Sequence, residues 1–161
     1  MMSRDVPAPS GQAATDLIVE VFRLNGRLLA AGDRLVADLG LTSARWQVLG
    51  AIAASPTDET VARLARNMGL YRQGVQRIVN ELASEGFIQL KENPHHRRAK
   101  LVAMTKKGRV AFEAVGRRQK PWVDALAMGL NARDLNSALR TIEALRIRLE
   151  KELGWGTTGS T

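Results

Sequence analysis

The chain has 161 residues, of which 45% are hydrophobic and 25% are charged, and its net charge is +8. This length suits one domain, and the composition excludes a wholly disordered chain. Cysteine is absent, which excludes disulfides, thiolate zinc sites and cysteine nucleophiles. The small number of aromatic residues argues against an all-β fold. We expect a cytoplasmic protein without membrane attachment, because we find neither a signal-peptide core nor an apolar run of the ~18 residues that a bilayer span needs.

The positive charge is concentrated in the middle of the chain. Residues 60–109 contain 11 basic and 3 acidic residues, and they account for the whole net charge of +8. Clustered cations attract polyanions, so the first candidate partners are nucleic acid and an anionic membrane surface.

The N-terminal part predicts two helices after a flexible leader, 1–12. Apolar residues recur at helical spacing across 13–40, which predicts one long helix that Gly40 ends. Thr42 or Ser43 then caps a second helix, whose apolar positions are Trp46, Leu49 and Ile52.

The basic centre, 41–109, predicts a winged helix-turn-helix. Two short helices end at Gly69 and Gly86, and each has the apolar spacing i, i+3, i+4 and i+7. Two strands follow, around a polar stretch from Lys91 to Lys100, which predicts a β-hairpin with a basic tip. The sequence therefore predicts a fold that is mainly α with a small β-hairpin wing (α+β).

The C-terminal part, 110–153, is again helical, with a break at Asn131, which resembles a capping-box residue together with Asp134. A flexible tail, 154–161, completes the chain. The apolar stripes of 13–40 and 110–153 exceed what a small monomer covers, so we interpret both segments as the dimerisation helices of a homodimer. An intramolecular bundle is the alternative.

The second helix of the pair and the wing carry the candidate DNA-binding residues. The outward positions of the helix offer guanidinium and amide groups, which match guanine and adenine edges in the major groove: Arg72, Gln73, Gln76, Arg77 and Asn80. The wing adds Arg97, Arg98 and Lys100, and arginine at a hairpin tip suits the negative potential of a minor groove. On the helix alone, a merely solvated polar face is the competing interpretation.

These features, taken in order, resemble the MarR (multiple antibiotic resistance regulator) family of bacterial transcription factors. The resemblance rests on the stretch Leu41 to Leu49, the helix pair, Gly86-Phe87-Ile88, the paired wing arginines and Met104 to Gly108. It implies a homodimer with intertwined terminal helices, which binds a pseudo-palindromic operator and usually represses genes until a small ligand or an oxidant releases it.

The resemblance also implies roles for single residues. The recognition-helix positions fall on the five helix residues given above, the minor-groove arginine falls on Arg98, and Arg97 falls beside a phosphate. The family's wing pattern, Asp-x-x-Asp-Arg-Arg, reads Asn93-Pro94-His95-His96-Arg97-Arg98 here. Because His96 replaces the carboxylate that braces the arginine, we do not expect an Asp–Arg ion pair in the wing. His95 and His96 are adjacent on a hairpin and point to opposite sides, so we expect no metal site and no cofactor.

In the family the effector pocket lies between the dimerisation helices and the winged domain, which makes Arg45 and Trp46 the candidate pocket residues. They suit an aromatic or anionic effector, which an arginine and an indole bind through charge and stacking. The alternative is that Trp46 belongs to the core and Arg45 is a surface cation.

Three other functions compete with a sequence-specific regulator. An enzyme is disfavoured, because we find no phosphate-binding glycine loop, no paired carboxylates in a cleft region and no histidine outside the wing. A non-specific nucleoid or RNA-binding protein fits the charge alone. A protein-interaction module without DNA binding conflicts with the eleven central cations.

Overall fold

The structure is a computed structural model, and it describes residues 9–155. Over this range the chain forms six α-helices and three short strands. Their bounds are α1 (Pro9–Val36), α2 (Ser43–Ala54), β1 (Glu59–Thr60), α3 (Val61–Met68), α4 (Arg72–Ser84), β2 (Ile88–Lys91), β3 (Leu101–Met104), α5 (Lys106–Leu126) and α6 (Ala132–Glu152). The predicted fold class, mainly α with a small hairpin wing, is confirmed.

The first helix begins at Pro9, four residues before the predicted start, and proline is favoured in a first helical turn. After Val36 one 3₁₀ turn leads to Gly40, whose φ of 72° lies in the left-handed region that glycine adopts without strain. The rest of the predicted leader, 1–8, and the tail from 156 onward lie outside the described residues.

The N-terminus of α2 is fixed by two neighbouring residues with different roles. The Thr42 side chain accepts a hydrogen bond of 3.3 Å from the Arg45 amide, which makes Thr42 the cap. Ser43 is buried, and its hydroxyl donates to the Leu29 carbonyl over 2.7 Å, which joins α2 to α1. Thr60 caps α3 in the same way as Thr42 caps α2, through the Arg63 amide at 3.3 Å.

The three strands form one antiparallel sheet in the order β1-β3-β2. In the hairpin, Ile88 lies opposite Met104 and Leu90 lies opposite Val102. The sequence did not predict β1, because two polar residues, Glu59 and Thr60, carry no alternating pattern; they pair with the outer edge of β3.

The start of α5 is built into the base of the wing. Thr105 accepts from the Gly108 amide at 3.1 Å and donates to the Gly86 carbonyl at 2.7 Å, so α5 begins at Lys106, four residues before the predicted 110. A Cβ on Gly108 would lie 2.0 Å from the Phe87 carbonyl oxygen. Only glycine permits this approach of α5 to the sheet.

One ion pair ties α5 to the end of α1. Arg118 donates to both carboxylate oxygens of Asp38, with 2.7 Å between Nη2 and Oδ2, and to the Leu35 carbonyl at 3.0 Å. The hydrogen bond from Arg118 lowers the pKa of the Asp38 carboxyl below its ordinary value.

The core lies inside the winged unit. Leu49, Leu64, Leu82, Val102 and Val115 are fully buried where α2, α3, α4, α5 and the sheet meet. By contrast, none of the residues of α6 is buried. Asn131 caps α6 through the Arg133 amide at 2.8 Å, whereas the Asp134 side chain makes no hydrogen bond in the described part of the chain. The division into a winged unit, 41–109, and dimerisation helices stays a prediction.

Candidate nucleic-acid interface

One face of α4 is exposed and carries groups that hydrogen-bond to bases and phosphates. The opposite face is buried through Val75, Val79 and Leu82, which fixes the rotation of the helix. The predicted residues Arg72, Gln73, Arg77 and Asn80 are therefore exposed, and Gln76 is half-buried.

Two of these residues are joined to each other. Gln76 Nε2 donates to Asn80 Oδ1 over 2.9 Å, one helical turn apart. The bond leaves the Gln76 carbonyl and the Asn80 amino group available, so the pair presents an acceptor and a donor in a fixed relation.

The wing loop is held by Asn93, at the position where the family pattern has aspartate. Its Nδ2 donates to the Ala99 carbonyl over 2.9 Å, and its Oδ1 accepts from the His95 amide over 3.0 Å. The side chains of Arg97 and Arg98 are exposed and make no ion pair within residues 9–155. The Asn93 amide thus fixes the backbone of the wing loop.

A cleft of about 560 Å³ lies between the start of α4, the start of α3 and the wing. Four of the predicted residues line it together: Arg72, Gln76, Arg98 and Lys100. His96 also lines this cleft, whereas Gln73, Arg77, Asn80 and Arg97 lie outside its lining.

Some cations of the winged unit have acidic partners, whereas the candidate DNA-binding cations do not. Lys91 pairs with Asp58 at 2.9 Å and Arg63 pairs with Glu59 at 3.7 Å. Arg72, Arg77 and the three wing cations have no acidic partner in the part of the chain that the structure describes. Unpaired cations are free to neutralise phosphates and to release their counterions, which is the main source of non-specific DNA affinity.

Arg45, a candidate pocket residue, directs its side chain to α4. The guanidinium pairs with Glu81 at 3.2 Å and with Glu85 at 2.8 Å, and it also donates to the Gly40 carbonyl at 3.2 Å. Partial burial lowers the pKa of Arg45, but the hydrogen bonds to Glu85 and Glu81 outweigh it and leave this pKa above its ordinary value.

Trp46 packs at the edge of the core and is half-buried. Its ring faces Gly32 on α1, and a Cβ added to Gly32 would lie 3.6 Å from the indole. Trp46 therefore lies between α1 and α2, while the charged group of Arg45 lies toward α4.

A second cleft, which the sequence did not predict, lies between α1, α6 and the end of α3. Its volume is about 570 Å³, and its lining is largely apolar, with Ile18, Phe22, Met68, Leu145, Leu149 and Trp155. Trp155 also contacts the ring of Tyr71 edge-on, with 6.1 Å between the ring centroids. Because Tyr71 immediately precedes α4, Trp155 connects this cleft to the start of α4.

Residues 9–155 contain neither a cluster of metal-ligating side chains nor a helix suited to span a membrane. No three histidine, aspartate or glutamate side chains come together as metal ligands there. No helix in the same range is both long and apolar enough to cross a membrane.

The fold and the cationic cleft define a winged helix-turn-helix protein that binds DNA. The MarR family model matches residues 39–99, from the end of the first helix to the wing. A protein of Mycobacterium tuberculosis, itself uncharacterised, is 34% identical over 136 residues, which are 84% of this chain and 94% of the relative. The chain belongs to the MarR family of transcriptional regulators.

Other similar proteins carry names with functional content. BadR of Rhodopseudomonas palustris, a transcriptional activatory protein, is 29% identical over 106 residues, which are 65% of this chain and 61% of BadR. A MarR-family regulator from Rhodococcus sp. RHA1 shares the fold with a TM-score of 0.72 and 23% identity, over 82% of this chain and 93% of its own. CouR from Rhodococcus jostii, solved with p-coumaroyl-CoA, has a TM-score of 0.68 and 22% identity, over 92% of this chain and 97% of its own.

Proposed function

We propose that this regulator binds a pseudo-palindromic operator in the bacterial cytoplasm as a homodimer and reads its sequence. The observation that carries the proposal is the cleft in which two residues of α4, Arg72 and Gln76, meet two wing cations, Arg98 and Lys100. A helix in the major groove and a hairpin in the adjacent minor groove contact one continuous stretch of duplex.

We assign base reading to the exposed groups along α4. Arg77 suits a guanine, and the joined pair Gln76–Asn80 suits an adenine or a neighbouring pair of bases. Arg72 and Gln73, at the start of the helix, contact bases or the flanking phosphates. In the wing, Arg98 enters the minor groove, and Arg97 and Lys100 bind phosphates.

Exposed apolar side chains on the terminal helices support the homodimer. Phe22 on α1 is 72% exposed, and Leu139 on α6 is 52% exposed. Such side chains recur along both helices, and contiguous apolar patches of this kind mark interfaces. A two-fold dimer places its recognition helices about one helical turn apart, ~34 to 36 Å, and so selects an inverted repeat.

The alternative function is non-specific, nucleoid-type DNA binding, which the unpaired cations alone would provide. A catalytic role has less support, because the polar groups that converge in the cationic cleft are donors suited to phosphates and bases. The geometry of Gln76 and Asn80 favours the sequence-specific function, since the free acceptor of the pair has no partner on a phosphate, whereas base edges offer both donors and acceptors.

We further propose that a small effector binds between the terminal helices and the winged unit. CouR, a protein of the same fold, was solved with p-coumaroyl-CoA bound, which supports a small effector but not a particular site. Arg45 and Trp46 stay one candidate site, although an anionic effector there has to displace Glu81 and Glu85 from Arg45. The apolar cleft between α1 and α6 is the second candidate and suits an aromatic group.

Two substitutions separate the candidate effector sites. W46A abolishes the response to an aromatic effector if the first site is used, and L149A abolishes it if the apolar cleft is used. The readout is release of the operator duplex by the effector, and L130A, an exposed leucine that lines neither site, is the matched control.

Repression is our proposal for the regulatory sign, since the family resemblance implies it, whereas BadR bears the name of an activatory protein. A reporter gene behind the selected operator, measured with and without the chain, decides the sign.

The proposed function is tested by selection of random duplexes with the purified full-length protein at physiological salt. We expect enrichment of an inverted repeat with half-sites about one turn apart. Enrichment of no motif, together with binding that disappears as salt rises, would favour the non-specific alternative.

A further inference from the structure

Arg45 connects the scaffold of the winged unit to the end of the recognition helix. From α2, its Nε and Nη2 donate to Glu81 Oε2 over 3.3 Å and 3.2 Å, and Nη2 reaches Glu85 Oε1 at 2.8 Å. The same guanidinium donates through Nη1 to the Gly40 carbonyl, at the turn between α1 and α2. Only 17% of the Arg45 side chain is exposed, whereas the Glu81 and Glu85 side chains are 43% and 42% exposed, so the guanidinium is shielded while both carboxylates keep contact with water.

The two acids are placed where they oppose DNA binding unless they are neutralised. Glu81 lies in the last turn of α4 and Glu85 directly follows that helix, where the helix dipole is negative and carboxylates are disfavoured. Glu81 also follows Asn80 directly and lies one turn beyond Arg77, about 6 Å along the axis. Uncompensated carboxylates at this distance repel the phosphates that the reading groups approach.

We infer that Arg45 supports DNA recognition indirectly, by cancelling the charge of Glu81 and Glu85 at the end of α4. The inference rests on the proposed function. In this arrangement α4 meets DNA as a cationic helix, although its own sequence from Arg72 to Glu85 contains as many acids as bases. The planar fork of arginine serves both carboxylates and the carbonyl together, which a lysine ammonium does not.

The test compares R45M with the triple variant R45M/E81Q/E85Q, in full-length protein, on the selected operator. We expect R45M to weaken operator binding ~10-fold or more, because removing one member of a close charge pair leaves the other charges uncompensated. The triple variant, which lacks both the cation and the acids, is expected to recover to within ~3-fold of the wild type, because the repulsion is gone.

Two outcomes overturn the inference. R45M that binds the operator as tightly as the wild type shows that the charges of Glu81 and Glu85 do not reach the DNA. A triple variant as weak as R45M shows that Arg45 acts through packing alone. The matched control is R118M, which breaks another interhelical arginine pair, with Asp38, away from α4, and it is expected to retain operator affinity.

A second variant covers the case in which R45M does not fold. R45K keeps the charge but loses the planar fork, so we expect its operator binding to be ~3-fold weaker than that of the wild type. Addition of E81Q to R45K is expected to restore this loss. R45K with wild-type affinity overturns the inference. Failure of the proposed function has a separate signature. A wild type without operator preference overturns that function, while the loss in R45M and its recovery in the triple variant remain measurable on any duplex.

Discussion

Replacing Asn93 with alanine removes the two side-chain hydrogen bonds that hold the wing loop, to the Ala99 carbonyl at 2.9 Å and from the His95 amide at 3.0 Å. Each bond of this kind contributes ~0.5–1.5 kcal/mol, so the pair stabilises the loop by ~1–3 kcal/mol. If Arg98 needs an ordered loop to enter the minor groove, that free energy is lost from binding. We therefore expect N93A to bind the operator ~5-fold to ~150-fold more weakly.

The assay is fluorescence anisotropy of a labelled operator duplex at 0.15 M salt, together with amide hydrogen exchange of the wing. N93D keeps the acceptor for the His95 amide and loses the donor to Ala99, so its affinity should lie between those of N93A and the wild type. Asn136→Ala is the matched control, because Asn136 is exposed on α6 and lines neither cleft. Faster exchange in the wing of N93A with unchanged operator affinity would refute the reasoning.

Three further results are expected. Gln76→Ala and Asn80→Ala each relax base preference at neighbouring positions. Because one hydrogen bond joins the two side chains, operator binding by the double variant shows a coupling free energy of ~0.5–1.5 kcal/mol. Additive losses of binding free energy would show independent contacts. L82A lowers the free energy of unfolding by ~2–5 kcal/mol in urea titration, because Leu82 is fully buried, and a loss below ~1 kcal/mol would contradict this core. The Asp38–Arg118 pair stabilises the fold at pH values above the ordinary pKa of aspartate, and this contribution disappears as pH falls through the lowered pKa of Asp38. Thermal unfolding of D38N should therefore depend less on pH below ~4 than thermal unfolding of the wild type.

Much of the fold was predictable from short-range signals. Apolar spacing located the helices, and threonine caps or glycine ends marked where they begin and stop, as at Thr60 and Gly69. The pattern missed β1, because the two polar residues of that strand pair only through their backbone with β3. The predicted start of α5 was four residues late, because Thr105 lies in a polar stretch and was not recognised as the cap of this helix.

The exposed polar face of α4 was predictable for a related reason. Once Val75, Val79 and Leu82 are assigned to the core, helical geometry alone places Arg72, Gln76 and their neighbours on the opposite face. Contacts between segments distant in sequence were not predictable in this way. Arg45 and Glu81 are 36 positions apart, and nothing in local spacing says that α2 and the end of α4 touch. The apolar cleft beside α6 depends likewise on how distant helices pack.

The most direct test of the account is the ratio between the affinity of the wild type for the selected operator and its affinity for a scrambled duplex of equal length, at 0.15 M salt. The account predicts a ratio of at least ~10³. It also predicts that Arg77→Ala lowers operator affinity by ~1–3 kcal/mol and leaves binding to the scrambled duplex nearly unchanged. Arg140→Ala, an exposed arginine on α6, is the matched control and should change neither value. A ratio near one, or equal losses on both duplexes in Arg77→Ala, would contradict sequence-specific recognition by α4.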